Sequence, residues 1–402
     1  MKRTFLLMLV VLIDVVGTAN AGENTATAPK WKSDLAAAIQ RGDYQRAALL
    51  IRPHADQGDV WAEYNLGVMY ERGNGVPQDD KQASSWYRKA AEQGDADAEY
   101  NLGHMYAAGR GVIKDDRQAV VWIRKSADQG NADAEYLLGL MYVTGHGITQ
   151  DYKQAFGWFR KAADQGKAGA EYALGNMYYT GEGVSKNYHQ AIAWIRKAAD
   201  QDHAPAERDL GIIYEAAPPR YDEALAWLRK AANHGDAKAE NNLGIMYEAG
   251  RGVTRDYGQA LSWYRKAADE GDVAGEVNFG AMYYNGRGIK RDYAQAFMWF
   301  RTAADQHSGV AEYNLGVMYE EGNGVSRDRR QAAIWYRAAV RDGVTKANQA
   351  LADLARPRRT LTVQRTSPPQ TTSGSGNVFG RMMCNKTLGT SMFNVFSPCN
   401  NW

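Results

Sequence analysis

Apolar and small residues recur along most of this chain with two superposed periods. The short one is helical. Within residues 98–106, Ala98, Leu102, Met105 and Tyr106 fall at i, i+4, i+7 and i+8, which is one face of an α-helix, and polar residues fill the other side. The long period is supersecondary. The block AEYNLGVMY at residues 62–70 recurs eight times, its glutamate falling at Glu63, Glu99, Glu135, Glu171, Glu207, Glu240, Glu276 and Glu312. The interval is 36 residues throughout, except for 33 between Glu207 and Glu240. A fixed period of this length predicts stacked supersecondary units.

Each unit reads as two helices. The first ends at a Gly-x-Gly turn, as in Gly109-Arg110-Gly111, where glycine supplies left-handed backbone. The second opens on a capping box, Asp115 with Gln118, repeated at Asp79/Gln82, Asp151/Gln154, Asp256/Gln259, Asp292/Gln295 and Asp328/Gln331, with Asn187/Gln190 equivalent. Along it Ala119, Trp122, Ile123 and Ser126 form the expected buried stripe, while Arg124 and Lys125 are expected to face water. The recurring tryptophans Trp86, Trp122, Trp158, Trp194, Trp227, Trp263, Trp299 and Trp335 each need cover that one hairpin cannot give, so neighbouring units must supply it. Mid-helix glycines at Gly67, Gly103, Gly139, Gly175, Gly211, Gly244, Gly280 and Gly316 imply close approach of the paired helix, which would offset a helix-propensity cost of about 1 kcal/mol each. The fifth unit replaces its Gly-x-Gly turn with Pro218-Pro219. The predicted fold is therefore all-α, a solenoid of about eight helix-pair repeats over residues 59–343. A linker and helical cap precede it over 22–58, and a capping helix follows at 344–356.

The two ends differ from the array. Lys2 and Arg3, the apolar run 5–16 and Ala19-Asn20-Ala21 read as a secretory signal over 1–21, too short to span a bilayer, which predicts a periplasmic or secreted chain with no stable membrane span after signal removal. Residues 357–402 read as a disordered tail that is basic throughout: from Arg356 onward there are six Lys or Arg and no acid. Its Cys384 and Cys399 are the chain's two cysteines and suit one small disulfide loop in an oxidising compartment. Overall, 48 Lys+Arg against 46 Asp+Glu give a net charge of +2, no footprint of nucleic-acid binding.

Catalysis needs titratable groups at unique positions, whereas the polar residues of note here recur in register. The seven histidines are scattered singly without metal-ligand spacing, so no metal is expected. The Gly-x-Gly turns follow helices and lack the Lys-Ser/Thr of a phosphate loop, so no nucleotide or other cofactor is expected. No nucleophile signature occurs, and the chain is not expected to be an enzyme.

The block, the Gly-x-Gly-Val turn and the run Gln-Ala-x-x-Trp-Tyr-Arg-Lys-Ala-Ala at residues 82–91 closely resemble the Sel-one-like repeat, a relative of the tetratricopeptide repeat. The resemblance covers about residues 59–343. It implies a right-handed superhelix of antiparallel helix pairs that acts as an adaptor for protein complexes. Exported bacterial members work in envelope signalling, cell-wall processes or host interaction. Cysteine-rich relatives to which β-lactamase activity is ascribed carry a disulfide in every repeat; this chain has no cysteine in any repeat. In tetratricopeptide relatives the first helices line the concave face, and an asparagine after the aromatic of the block clamps a peptide. Carried over, that nominates Asn65, Asn101, Asn242, Asn278 and Asn314 with Tyr64, Tyr100 and Tyr313 as a partner-binding set; bracing of neighbouring helices is the competing role. The expected function is an exported scaffold for a protein or extended peptide. The alternatives are a periplasmic regulator or inhibitor of an envelope enzyme or sensor, and a protein that binds or acts on cell-wall material.

Overall fold

The computed structural model describes residues 29–216 and 218–356. The signal segment, the tail and Cys384 and Cys399 lie outside the described residues. Among these, nineteen helices and no strand occur. The chain divides into two compact units, the first ending at Trp194 and the second beginning at Ile195.

The first unit holds α1 (Lys30–Gln40), α2 (Tyr44–Asp56), α3 (Val60–Arg72), α4 (Asp80–Glu92), α5 (Ala96–Ala108), α6 (Asp116–Asp128), α7 (Ala132–Thr144), α8 (Tyr152–Asp164) and α9 (Ala168–Thr180). The division falls inside α10 (Tyr188–Asp200). The second unit holds α11 (Ala204–Ala216), α12 (Tyr221–Asn233), α13 (Ala237–Ala249), α14 (Tyr257–Asp269), α15 (Val273–Asn285), α16 (Tyr293–Asp305), α17 (Gly309–Glu321), α18 (Arg329–Arg341) and α19 (Lys346–Ala355). Within each, every helix packs on its sequence neighbours, from α1 to α9 and from α11 to α19. This is an all-α solenoid of helix pairs.

Small residues decide how closely the two helices of a pair approach. A Cβ on Gly139 of α7 would stand 2.5 Å from the Phe159 ring of α8, and one on Gly103 of α5 would stand 2.7 Å from Ile123 of α6. The glycine therefore opens the seat for the residue that follows the repeat tryptophan, and burial of that side chain offsets the propensity cost. Tyr87, Ile123, Phe159, Ile195, Leu228 and Phe300 are fully enclosed, and Tyr264 and Tyr336 are 1% exposed.

This corrects the expectation for the tryptophans. Trp86, Trp122 and Trp194 are buried, but Trp158, Trp227, Trp263, Trp299 and Trp335 are half-buried, and the deepest large residue is the next one along. In the first three repeats the lysine three residues on lies over the indole face, 3.6 Å from the ring centre for Lys89 on Trp86, 4.0 Å for Lys125 on Trp122 and 3.8 Å for Lys161 on Trp158. The adjoining arginine also differs from a purely solvated residue. Arg88 donates to the Tyr106 hydroxyl at 2.6 Å and Arg124 to Tyr142 at 2.7 Å, so α4 and α6 are each tied to the first helix of the next pair.

Outside the fifth repeat, whose turn carries Pro218-Pro219, the turns within the repeats follow one plan. In α6 the Asp115 side chain accepts from the amides of Arg117 and Gln118, but its own amide donates to the Tyr106 carbonyl at 3.0 Å. That bond takes the place expected for the Gln118 side chain in a reciprocal box, because the preceding turn already brings the block tyrosine's carbonyl within reach. The second glycine of the turn has a different duty. Gly111 has φ +66, and a Cβ there would lie 1.9 Å from the Asp80 carbonyl oxygen at the start of α4, so backbone rests on backbone between successive pairs.

Candidate functional site

The first helix of each pair carries a buried polar row, and several carry a second polar row at the nominated positions. The buried row is the block glutamate. All eight are at most 5% exposed. Leaving a carboxylate there unpartnered would be costly, and the residue that ends the second helix, 30 positions on, supplies the partner. Gln93 donates to Glu63 at 2.7 Å, Gln129 to Glu99 and Gln165 to Glu135 at 2.8 Å, and Gln306 to both oxygens of Glu276 at 3.0 Å. Burial raises the carboxyl pKa of Glu63, Glu99, Glu135 and Glu276, and the glutamine bond only partly opposes it.

Three units break this clamp. At Glu207 the partner is His234, Nδ1 at 2.8 Å, with Lys230 at 3.0 Å. Glu270 stands where a glutamine would meet Glu240, and Lys266 pairs with Glu240 instead. At Glu312 the partner position is Asp342; burial and then the neighbouring Asp342 carboxylate push Glu312 up to about 7. The clamp was legible only as a Glu-to-Gln spacing of 30, which crosses a helix and a turn and so belongs to no helical period.

The second row is the nominated partner-binding set. In the first unit Tyr64, Asn65, Tyr100 and Asn101 are half-buried. Asn101 hydrogen-bonds to the Tyr64 hydroxyl, and burial together with Asp97 and Asp95 pushes that hydroxyl up to about 12. Asn65 donates to the Trp61 carbonyl of its own helix at 2.8 Å. In the second unit the same register is enclosed: Asn242 is 9% exposed, Asn278 2%, Tyr313 3% and Asn314 fully buried. Asn278 donates to the Asn241 side chain at 2.8 Å across neighbouring first helices. One sequence position thus has two settings.

A third set of contacts ties the turns together. Where the middle residue of the Gly-x-Gly turn is arginine, it reaches back to an acid ending the previous first helix: Arg110 meets Glu71 at 3.1 Å and Arg287 meets Glu248 at 2.7 Å. The same acids accept from the enclosed tyrosines, Tyr87 to Glu71 at 2.7 Å and Tyr264 to Glu248 at 2.9 Å. No helix among the described residues is long and apolar enough to cross a membrane.

A family model described as Sel1 repeat matches eight consecutive stretches, residues 62–95, 96–131, 132–167, 168–203, 204–236, 237–272, 275–308 and 309–344. Among solved structures, the chain is similar to a protective antigen of uropathogenic Escherichia coli strains that displays an SLR fold, with 32% identity, TM-score 0.54, and 77% of this chain and 75% of that one covered. It is similar also to a Sel1 repeat protein from Oxalobacter formigenes, with 32% identity, TM-score 0.56, and 60% and 96% covered. No curated protein matches.

Proposed function

From the premise that this chain belongs to the Sel1 repeat family, whose members are scaffolds for protein-protein interaction, we propose that it is an exported scaffold of the bacterial envelope. In this reading it grips an extended segment of a protein partner on the first helices of its first unit. The half-buried row Tyr64, Asn65, Tyr100 and Asn101 is the observation that carries this reading. These side chains combine aromatic faces with amide donors and acceptors at a one-repeat spacing, which suits an unstructured backbone running across successive helices. The enclosed Asn278 and Asn314 fall outside it, because a side chain already buried against neighbouring helices offers a partner little surface. The reading assigns the chain no reaction of its own.

Affinity capture from envelope fractions with the mature chain as bait tests it. A discrete protein partner is expected, and Tyr64→Ala combined with Asn101→Ala should lower its recovery at least tenfold while the helical circular-dichroism signal is kept. Recovery of the partner at wild-type level by that variant would move the contact elsewhere. Retention of the chain in the cytoplasm after fractionation would remove the envelope from the proposal.

A further inference from the structure

Where the fourth repeat meets the fifth, two positions depart from their counterparts elsewhere in the array, and they lie together. Asp202 occupies a position where Gly94, Gly130, Gly166, Gly235, Gly271 and Gly343 stand elsewhere, and it keeps their positive φ, at 62°. His234 replaces the helix-ending glutamine found as Gln93, Gln129, Gln165 and Gln306. Asp202, Glu207 and His234 bring one donor atom each to within 4.8 Å of one another.

We propose that Asp202, Glu207 and His234 form a binding site for a divalent transition-metal ion of the Zn2+ type. One imidazole nitrogen and two carboxylate oxygens are a donor set that zinc accepts at about 2.0–2.2 Å, with a fourth position left for water or a ligand from a partner. Tetrahedral donors at that distance are about 3.4 Å apart, so closure asks for an inward shift of roughly an ångström. Asp202 is exposed and supplies it once Lys230 withdraws, whereas Glu207 is fully buried and already set.

Glu207 is the second, independent reason for a cation here. Its Oε2 meets His234 Nδ1 at 2.8 Å, but its buried Oε1 receives no well-aligned hydrogen bond. Facing that oxygen is the Lys230 ammonium, at 3.0 Å from Glu207 and 2.9 Å from Asp202. The ammonium therefore sits between the two carboxylates as a monovalent counter-charge. Lys89, Lys125 and Lys161 lie 3.6–4.0 Å from their indole centres, while the two lysines that pair with a block glutamate, Lys230 and Lys266, stand at 5.3 Å from Trp227 and 5.6 Å from Trp263. A divalent ion entering between the carboxylates releases Lys230 toward the seat that Lys89, Lys125 and Lys161 occupy over their indoles, so the displaced charge has a defined place to go. The site is one per chain, because only the junction of the fourth and fifth repeats combines the aspartate with the histidine.

The test is a Zn2+ titration of the untagged, metal-stripped full chain by calorimetry, with Co2+ absorption as a second readout. One ion per chain is expected. The Co2+ spectrum should show visible bands of a nitrogen and oxygen site without the near-ultraviolet thiolate band that Cys384 and Cys399 would give. His234→Gln restores the residue of the other repeats and should weaken binding at least tenfold with an unchanged melting curve in chelator. Asp202→Gly, which restores the glycine and suits the positive φ, should do the same and serves if the first variant misfolds. Absence of stoichiometric binding by the wild type, a thiolate band, or equal affinity in both variants would overturn the proposal.

Discussion

At the scale of single residues, two glycines on adjacent helices separate packing from backbone propensity. Gly139 faces the Phe159 ring, where an added Cβ meets it at 2.5 Å, while Gly157 on α8 is exposed and has nothing within 4 Å of the same added atom. Alanine gains about 1 kcal/mol of helix propensity at either site. At Gly139 that gain is set against an overpacking cost of about 1–3 kcal/mol. Gly139→Ala should therefore lower the urea midpoint and Gly157→Ala should raise it. The same pair of helices ranks the aromatics. Phe159 is fully enclosed and Trp158 half-buried, so Phe159→Ala should cost on the order of 3–5 kcal/mol and Trp158→Ala clearly less, despite the larger ring. Equal losses in urea unfolding would show that the indole, and not its neighbour, is the core of the pair. Periodicity placed their counterparts Trp122 and Ile123 together on the inward side of the helix. It could not rank them, because a one-residue difference in helical phase is about 100° and only the partner's missing Cβ decides which of the two is received.

Burial raises the carboxyls of Glu63, Glu99, Glu135, Glu240, Glu276 and Glu312 alike, and the sign of the pH response follows from the direction of the shift. A carboxyl whose pKa is raised in the folded state binds its proton more tightly there than in the unfolded chain, so it favours folding at low pH and loses that advantage as pH climbs. For Glu312, pushed to about 7 from an ordinary 4.5, the loss falls between those two values and is complete above about 7. Wild-type protein should thus melt at a lower temperature at pH 8 than at pH 5.5, and Glu312→Gln should flatten the difference. Asp342→Gln installs the residue that clamps Glu63 and Glu99, and it should raise the melting temperature at pH 8 with little effect at pH 5.5. A variant that stabilises equally at both pH values would show that the acidic neighbour is not what disfavours the ionised Glu312. The helices themselves, their turns and their aspartate caps could be read from the chain, because each rests on contacts within a few residues. The glutamate clamp could not, since its two halves lie 30 residues apart. Nor could the divided fate of the asparagines: Asn65 and Asn278 share one register, and only what packs against them leaves the first half-buried and encloses the second.

Over a whole stack, contacts that join only neighbouring pairs should make stability a sum of local parts. In the first unit Arg52 donates to Tyr70 at 2.9 Å, linking α2 to α3, and Arg124 donates to Tyr142 at 2.7 Å, linking α6 to α7; the two links share no residue and are separated by intervening helices. Removing both arginines should therefore cost the sum of the single losses to within about 0.5 kcal/mol. The cycle of Arg124→Ala with Tyr142→Phe should behave differently, because either change breaks the same bond and the second then removes little more. Coupling within that pair of about 0.5 kcal/mol or greater, beside additivity between the two links, is the thermodynamic signature of a nearest-neighbour stack. Strong coupling between Arg52 and Arg124 would instead mean that the first unit transmits strain across several repeats, and a partner seated on one pair of helices would then be felt by pairs it never touches.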